Sequence, residues 1–238
     1  MLSLDRTQII KELFEKINIQ NCDETLFEEA LTHPSFNFER NVEDAPDYER
    51  LEFLGDSVLR LVISEYLFDR FPNYDEGKLT KIRSCLVSDD FLAKIATEMH
   101  LSKYLKIGHH EEKDGGRKKE SILACAMEAV FGAVFKSCDF LIAKNFISQV
   151  YNMIEVDVTT ILYMYNSKEL LQQYTQSKTK SLPEYELSKE YGQAHNKTYE
   201  VCVRYQGELL GRGEAKTKKE AEKIAAFNAL KKLKIVKE

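Results

Sequence analysis

The sequence predicts an α+β multidomain chain, an all-helical body followed by a small αβββα domain. Three observations carry this reading. Apolar residues recur at three- and four-residue spacings through about residue 155, which is the period of helices packed on one face. After about residue 166 the period changes to two, the mark of half-buried strands. Charge changes sign with the period: from residue 164 onward 15 Lys+Arg face 10 Asp+Glu, a net of +5, while the 19 and 29 before it leave −10, so the overall −5 hides a split. An acidic body with a basic tail suggests that the tail holds a polyanion while the body does something that needs carboxylates.

Taken in order, LFEEALTHPSF, RLEFLGDSVLRLVISEYLFDRF, KLTKIRSCLVSDDFLAKIATEM and SILACAMEAVFGAVF read as helices, and the polar breaks NVEDAPD, FPNYDEG and HHEEKDGGRKK read as the loops between them. Residues 1–155 form this helical domain. The stretch 156–166 reads as a linker, with aromatics that suggest a packed connection. In 167–236, SKELLQQYTQSK is a short amphipathic helix, PEYELSKEYG and KTYEVCVRYQG alternate as strands, ELLGRGEAKT is a third strand, and KKEAEKIAAFNALKKLK is an alanine-rich helix. No apolar run approaches the ~20 residues that span a bilayer, and the amphipathic, charged start MLSLDRTQIIKELFEKI is unlike a signal peptide, so no membrane role and a cytoplasmic address are expected. The five cysteines are scattered, with no CxxC spacing, and are expected to be reduced, mostly as small core residues.

Two stretches carry chemistry. In YERLEFLGDSVL (48–59), Glu49, Glu52 and Asp56 fall at i, i+3 and i+7 of a helix, so the three project from much the same side among apolar neighbours and repel one another. In SILACAMEAVFGAVF (121–135), Glu128 is a lone carboxylate in an apolar helix, where a charge must be paired, protonated or bound to a metal. A solvated acidic stripe would explain the first stretch alone. Gly55 and the continuous apolar neighbours favour close helix packing instead, and divalent cations such as Mg²⁺ would relieve the repulsion through oxygen ligands, with Glu128 the partner from another helix. His109 and His110 in GHHEEKDGG offer a rival metal site, but adjacent residues do not share a helix face and glycine flanks a loop there.

YERLEFLGDSVL resembles the signature of ribonuclease III. ALTHPSF at 30–36, DEGKLTKIRSCLVSD at 75–89 and GGRKKESILA…MEAVFGA at 115–133 resemble the remaining blocks of its nuclease domain in order, and 167–235 resembles the double-stranded-RNA-binding domain of the bacterial-type enzyme. The resemblance implies a Mg²⁺ site, with Mn²⁺ a substitute, whose carboxylates include Glu52, Asp56 and Glu128. It implies that Glu49 and Glu76 are acidic positions serving RNA contact and catalysis at the cleft edge, beside the catalytic Asp56 and Glu128. It places His33 of LTHPSF at a structural, helix-end position. It also implies a homodimer, one site per strand, that cuts duplex RNA to 5′-phosphate and 3′-hydroxyl ends in rRNA and mRNA processing, with no small-molecule cofactor.

One position departs from the pattern. The fourth metal carboxylate, an aspartate three residues before Glu128, is Cys125 here. A thiol of ordinary pKa, about 8.5, is mostly neutral at pH 7 and is a soft, poorly matched ligand for Mg²⁺. Three readings follow: an enzyme working with three carboxylates, a dsRNA-binding protein impaired in cleavage (a viral suppressor of dsRNA silencing included), or a change made to trap substrate.

In the tail, the resemblance assigns RNA contact to Gln172 and Gln173 on the first helix, to His195 on the strand-connecting loop, and to Lys218, Lys219 and Lys223 at the start of the last helix. The lysines would meet phosphates across the major groove. Gln193 stands where the family usually has proline.

Overall fold

The computed structural model describes residues 4–19, 22–42, 44–154, 158–192 and 197–236. The chain divides into two compact units, residues 1–156 and 157–238. The first is helical: α1 (Leu4–Ile17), α2 (Glu24–Ala30), α3 (Pro34–Phe38), α4 (Glu49–Arg70), α5 (Glu76–Leu86), α6 (Asp89–Glu98), α7 (His109–Lys113), α8 (Glu120–Ser137) and α9 (Phe140–Asn152). Local chemistry starts several of these. The Asp23, Asp75, Ser88 and Asp139 side chains accept from the first free backbone N–H groups of α2, α5, α6 and α9, and His33 does so for α3 through Nδ1, 3.0 Å from Ser35 N.

The centre of this unit is α8, buried nearly all round through Ile122, Leu123, Ala126, Met127, Val130, Phe131 and Val134, and packed against α2, α4, α6 and α9. A helix apolar on every side belongs inside, and the one carboxylate in its middle is therefore held at the edge of the core. The closest approach is α4 on α8. A Cβ at Gly55 would stand 1.8 Å from the Glu128 carbonyl oxygen, and one at Gly132 would stand 2.2 Å from that of Leu51. Two helices can touch this closely only where neither carries a side chain, and the contact sets Glu52 and Asp56 of α4 beside Glu128 of α8. Gly55→Ala is accordingly expected to destabilise the nuclease unit by about 3 kcal/mol despite alanine's better helix propensity, read as a lower midpoint in urea unfolding.

The second unit comprises α10 (Val158–Tyr165), α11 (Ser167–Thr179), β1 (Glu184–Tyr191), β2 (Thr198–Tyr205), β3 (Glu208–Ala215) and α12 (Lys218–Lys232). The sheet is antiparallel in the order β1-β2-β3, and Gln206 and Gly207, both at positive φ, make the two-residue turn between β2 and β3. The helices α11 and α12 pack on it around Leu171, Val201, Val203, Leu210, Phe227 and Leu230. Small residues at Ala221, Ala225 and Ala229 let α12 lie close to β3.

One local reading is given its structure and another is corrected. The 156–166 stretch, read as a linker, contains α10, which packs on α11 and α12 with Tyr163 against the core of the second unit. The HHEEKDGGRKK break, read as a loop, contains α7 and a 3₁₀ turn at Gly116–Lys118. The Glu39 carboxylate accepts from the backbone N–H groups of His109 and His110 and caps α7 from far away in sequence.

Candidate functional site

The carboxylates of α4 and α8 act on one another electrostatically. Glu128 is half-buried; burial first, and then the charges of Asp56, Glu52 and Asp89, push its carboxyl up to about 8, with Arg60 acting in the opposite sense. Glu52 is raised by burial and by Glu49, Asp89 and Asp56, against a hydrogen bond donated by the Cys125 thiol that lowers it. Cys125 is pushed up to about 12 by burial, by that hydrogen bond to Glu52, and by the negative charge of Glu52, Glu128 and Asp89. It is a neutral thiol at physiological pH.

Asp56 is turned to a different partner. Arg60, one turn on along α4, sets Nε 2.7 and 2.8 Å from the two Asp56 carboxylate oxygens. Among the described residues, no three His, Cys, Asp or Glu side chains are gathered as a ready-made cation site. Asp56 is held instead by the Arg60 guanidinium. The donor set nevertheless fits a hard divalent ion in chemistry. It offers carboxylate oxygens from Glu52, Asp56 and Glu128, the last with its carboxyl raised to about 8 by burial first and then by its acidic neighbours. Binding would exchange the guanidinium for the ion at Asp56 and release the Glu128 proton.

The remaining acidic positions divide. Glu49, exposed in the first turn of α4, reaches the cluster only through its charge on Glu52. Glu76, exposed at the start of α5, accepts from Thr80 Oγ1 of its own helix at 2.9 Å and is bonded to no member of the cluster. Three contributors escaped the sequence reading. Asp89 stands in the first turn of α6, the helix that Ser88 starts beside α8. Its signal was present as the last residue of the DEGKLTKIRSCLVSD block. Arg60 is the i+4 partner of Asp56, and Tyr48 is a buried phenol whose pKa is raised by burial and by Cys125 and Glu52. His33, pushed down by burial, caps α3 with its ring edge-on to Tyr48, 5.5 Å between centroids.

In the second unit Gln172 and Gln173 are exposed on α11, Gln173 donating to Glu169 at 3.3 Å. Lys218 and Lys219 are exposed at the start of α12, behind the Thr217 cap. Lys223, half-buried one turn on, pairs with Glu220 at 3.2 Å and lies over the Tyr165 ring. The helix start therefore presents free N–H groups and two lysine charges in one place, the arrangement that receives phosphate. His195 and Gln193 lie outside the described residues.

A helical acidic-site unit joined to an αβββα unit with a cationic helix start defines the class: a nuclease domain carrying a double-stranded-RNA-binding domain. The family models agree, with residues 23–154 matching the Ribonuclease-III-like model and 167–233 the double-stranded RNA binding motif. The chain is 42% identical to Ribonuclease 3 of Enterococcus faecalis over 95% of this chain and 98% of that one, and 41% identical to Ribonuclease 3 of Borreliella afzelii over 96% and 93%. Among solved structures, a nuclease domain of ribonuclease III from Campylobacter jejuni matches 60% of this chain and 96% of its own at 38% identity, with a TM-score of 0.57. The chain belongs to the ribonuclease III family of endoribonucleases.

Proposed function

We propose that the protein is a divalent-metal-dependent, homodimeric endoribonuclease that cuts double-stranded RNA in the cytoplasm, with precursors of rRNA and mRNA as its natural class of substrate. The observation that carries this is the convergence of Glu52 and Asp56 with Glu128 across the Gly55–Gly132 contact.

Mg²⁺ is the ion best matched to an all-carboxylate donor set. When bound, it supplies charge neutralisation at the scissile phosphate and acidifies the attacking water. The chain's residues do the rest. Glu52, Asp56 and Glu128 would hold the ion, and Arg60, now on Asp56, would give up that carboxylate. Cys125, a neutral thiol, stands beside Glu52 and Glu128 in place of a fourth carboxylate. No side-chain nucleophile is needed: water attacks phosphorus, the P–O3′ bond breaks, and the 3′ oxygen takes up a proton, leaving 5′-phosphate and 3′-hydroxyl ends. Glu49 and Glu76, exposed at the starts of α4 and α5, would contact a substrate strand.

The dimer is supported by α4, which exposes Phe53 (78%), Leu61 (56%) and Phe68 (72%), and by a cavity of about 630 Å³ beside Phe53, lined in part by Leu26, Leu51 and Leu54. A second copy would cover such apolar surface, and a two-fold pair of sites suits an antiparallel duplex. The solved Campylobacter jejuni domain was itself described for flexibility in its dimer-forming region.

Duplex RNA is gripped by shape, 2′-hydroxyls and phosphates, which matches the exposed amides of α11 and the lysines of α12. Replacing Lys218 and Lys219 together by alanine is expected to weaken binding about tenfold at 0.1 M salt. It should also flatten the log K against log salt slope by roughly 1.5 to 2, equally for unrelated duplex sequences, measured by fluorescence anisotropy.

The function is tested on an end-labelled perfect duplex. Cuts on both strands, products that a 5′-phosphate-dependent exonuclease degrades, and no cutting of the separated strands are expected. Cutting of single strands alone, or 3′-phosphate products, would refute the assignment.

A further inference from the structure

Two sulfurs meet away from the carboxylates. Cys22 Sγ lies 3.3 Å from Cys138 Sγ. Cys22 directly precedes Asp23, the cap of α2, while Cys138 ends α8 and directly precedes Asp139, the cap of α9. A backbone contact fixes the approach: Asp23 N–H donates to Ser137 Oγ at 3.3 Å, joining the neighbouring residues of the same two segments, and α2 packs along α8. Both sulfurs are half-buried, so a small reagent can reach them. Only about 1.3 Å of further approach separates this contact from a disulfide bond length.

We infer that Cys22 and Cys138 are a redox modification site, oxidised by a small disulfide to an intramolecular bond that fastens the start of α2 to the α8–α9 junction. With glutathione disulfide the chemistry balances in two exchanges. The Cys138 thiolate attacks one glutathione sulfur, forming a mixed disulfide and releasing one glutathione thiolate. Cys22 then attacks the Cys138 sulfur and releases the second. The protein loses two electrons and two protons, and one glutathione disulfide becomes two glutathiones.

The order follows from the pair itself. The Cys22 thiol is pushed up to about 12 by burial and then by Cys138, so it is not the first nucleophile. Once Cys138 is a mixed disulfide, Cys22 is the neighbouring thiol, its sulfur placed 3.3 Å from that of Cys138, and it resolves the intermediate by proximity. The bond would close a loop between positions 116 apart in sequence, enclosing Glu52, Asp56 and Glu128. Nothing in this depends on how the protein treats RNA.

The test uses the full chain, equilibrated in glutathione buffers of increasing oxidised fraction, quenched with an alkylating agent and mapped by mass spectrometry. Of the five cysteines, two thiols should disappear together, a Cys22–Cys138 linked peptide should appear, and the melting temperature of the nuclease unit should rise by about 5–10 °C, reversed by dithiothreitol. Cys22→Ser and Cys138→Ser, each expected to melt near the reduced protein, should abolish both the paired loss and the rise. Retention of all five thiols in the folded protein under excess diamide would overturn the inference, as would a linked peptide joining other cysteines or a mixed disulfide that never resolves. The mapping needs only the unaltered chain, so it decides the matter even where a variant fails to fold.

Discussion

Glu128→Gln is expected to lower cleavage of long duplex RNA at least 1,000-fold while leaving RNA affinity within about twofold. The substitution keeps the shape of the side chain and removes its capacity for negative charge, and three decades of rate correspond to about 4 kcal/mol of transition-state stabilisation. The pKa of Glu128 gives a second readout. In metal-free protein its carboxyl is raised to about 8, so between the ordinary carboxylate range and pH 8 the folded state binds more protons than the unfolded one. Stability from this group therefore falls as pH rises through that window. The glutamine variant has no such group. In EDTA its melting temperature should decline less from pH 6 to pH 9 than that of the unaltered chain. A variant that still cuts, or whose melting curve keeps the same pH dependence, would remove Glu128 from the site.

Cys125→Asp is expected to lower the metal concentration for half-maximal cleavage about tenfold, with little change in the rate at saturating Mg²⁺. The thiol contributes no charge, so the proposed cluster would bind its ion with one carboxylate fewer than the family pattern supplies. Aspartate restores that charge beside Glu52 and Glu128, which attracts the ion when it is present and adds repulsion when it is absent. The same variant should therefore melt lower than the unaltered chain in EDTA and recover with Mg²⁺, because an ion bound only by the folded state stabilises it by mass action. A metal titration unchanged by the substitution would mean that position 125 lies outside the ion's reach.

The parts legible in the sequence were those whose cause is local or periodic. The carboxylates Glu49, Glu52 and Asp56 follow from helical spacing, Gly55 announced the close helix contact, and Glu128 stood out as one charge in an apolar run. The parts that were not legible are set by contacts across the fold. The helix at His109–Lys113 depends on a carboxylate at Glu39, about 70 positions earlier, and a run of two histidines and two glutamates beside glycines carries no sign of that cap. Val158–Tyr165, rich in the β-branched and aromatic residues of a poor isolated helix, is helical because the second unit offers it a surface. Asp89 reaches the site only through the packing of α6 on α8. Arg60 could have been found by asking which cation lies at i+4 from Asp56.

These pairings also change what the metal-free site is. Arg60 holds Asp56, so an ion taking that carboxylate as a ligand would have to displace the guanidinium. Proton release would accompany it, since the raised Glu128 carboxyl would have to ionise to bind an ion.

The most direct measurement is single-turnover cleavage of a radiolabelled long duplex RNA by the unaltered chain at low salt, with Mg²⁺ and then Mn²⁺ titrated from zero. Three carboxylates that suffice for chemistry predict cutting that is absent in EDTA, saturates with either ion, and needs more metal than the Cys125→Asp variant does. Tight retention of the duplex with no cutting at any concentration of either ion would contradict the account, and would leave a protein that grips duplex RNA without cleaving it.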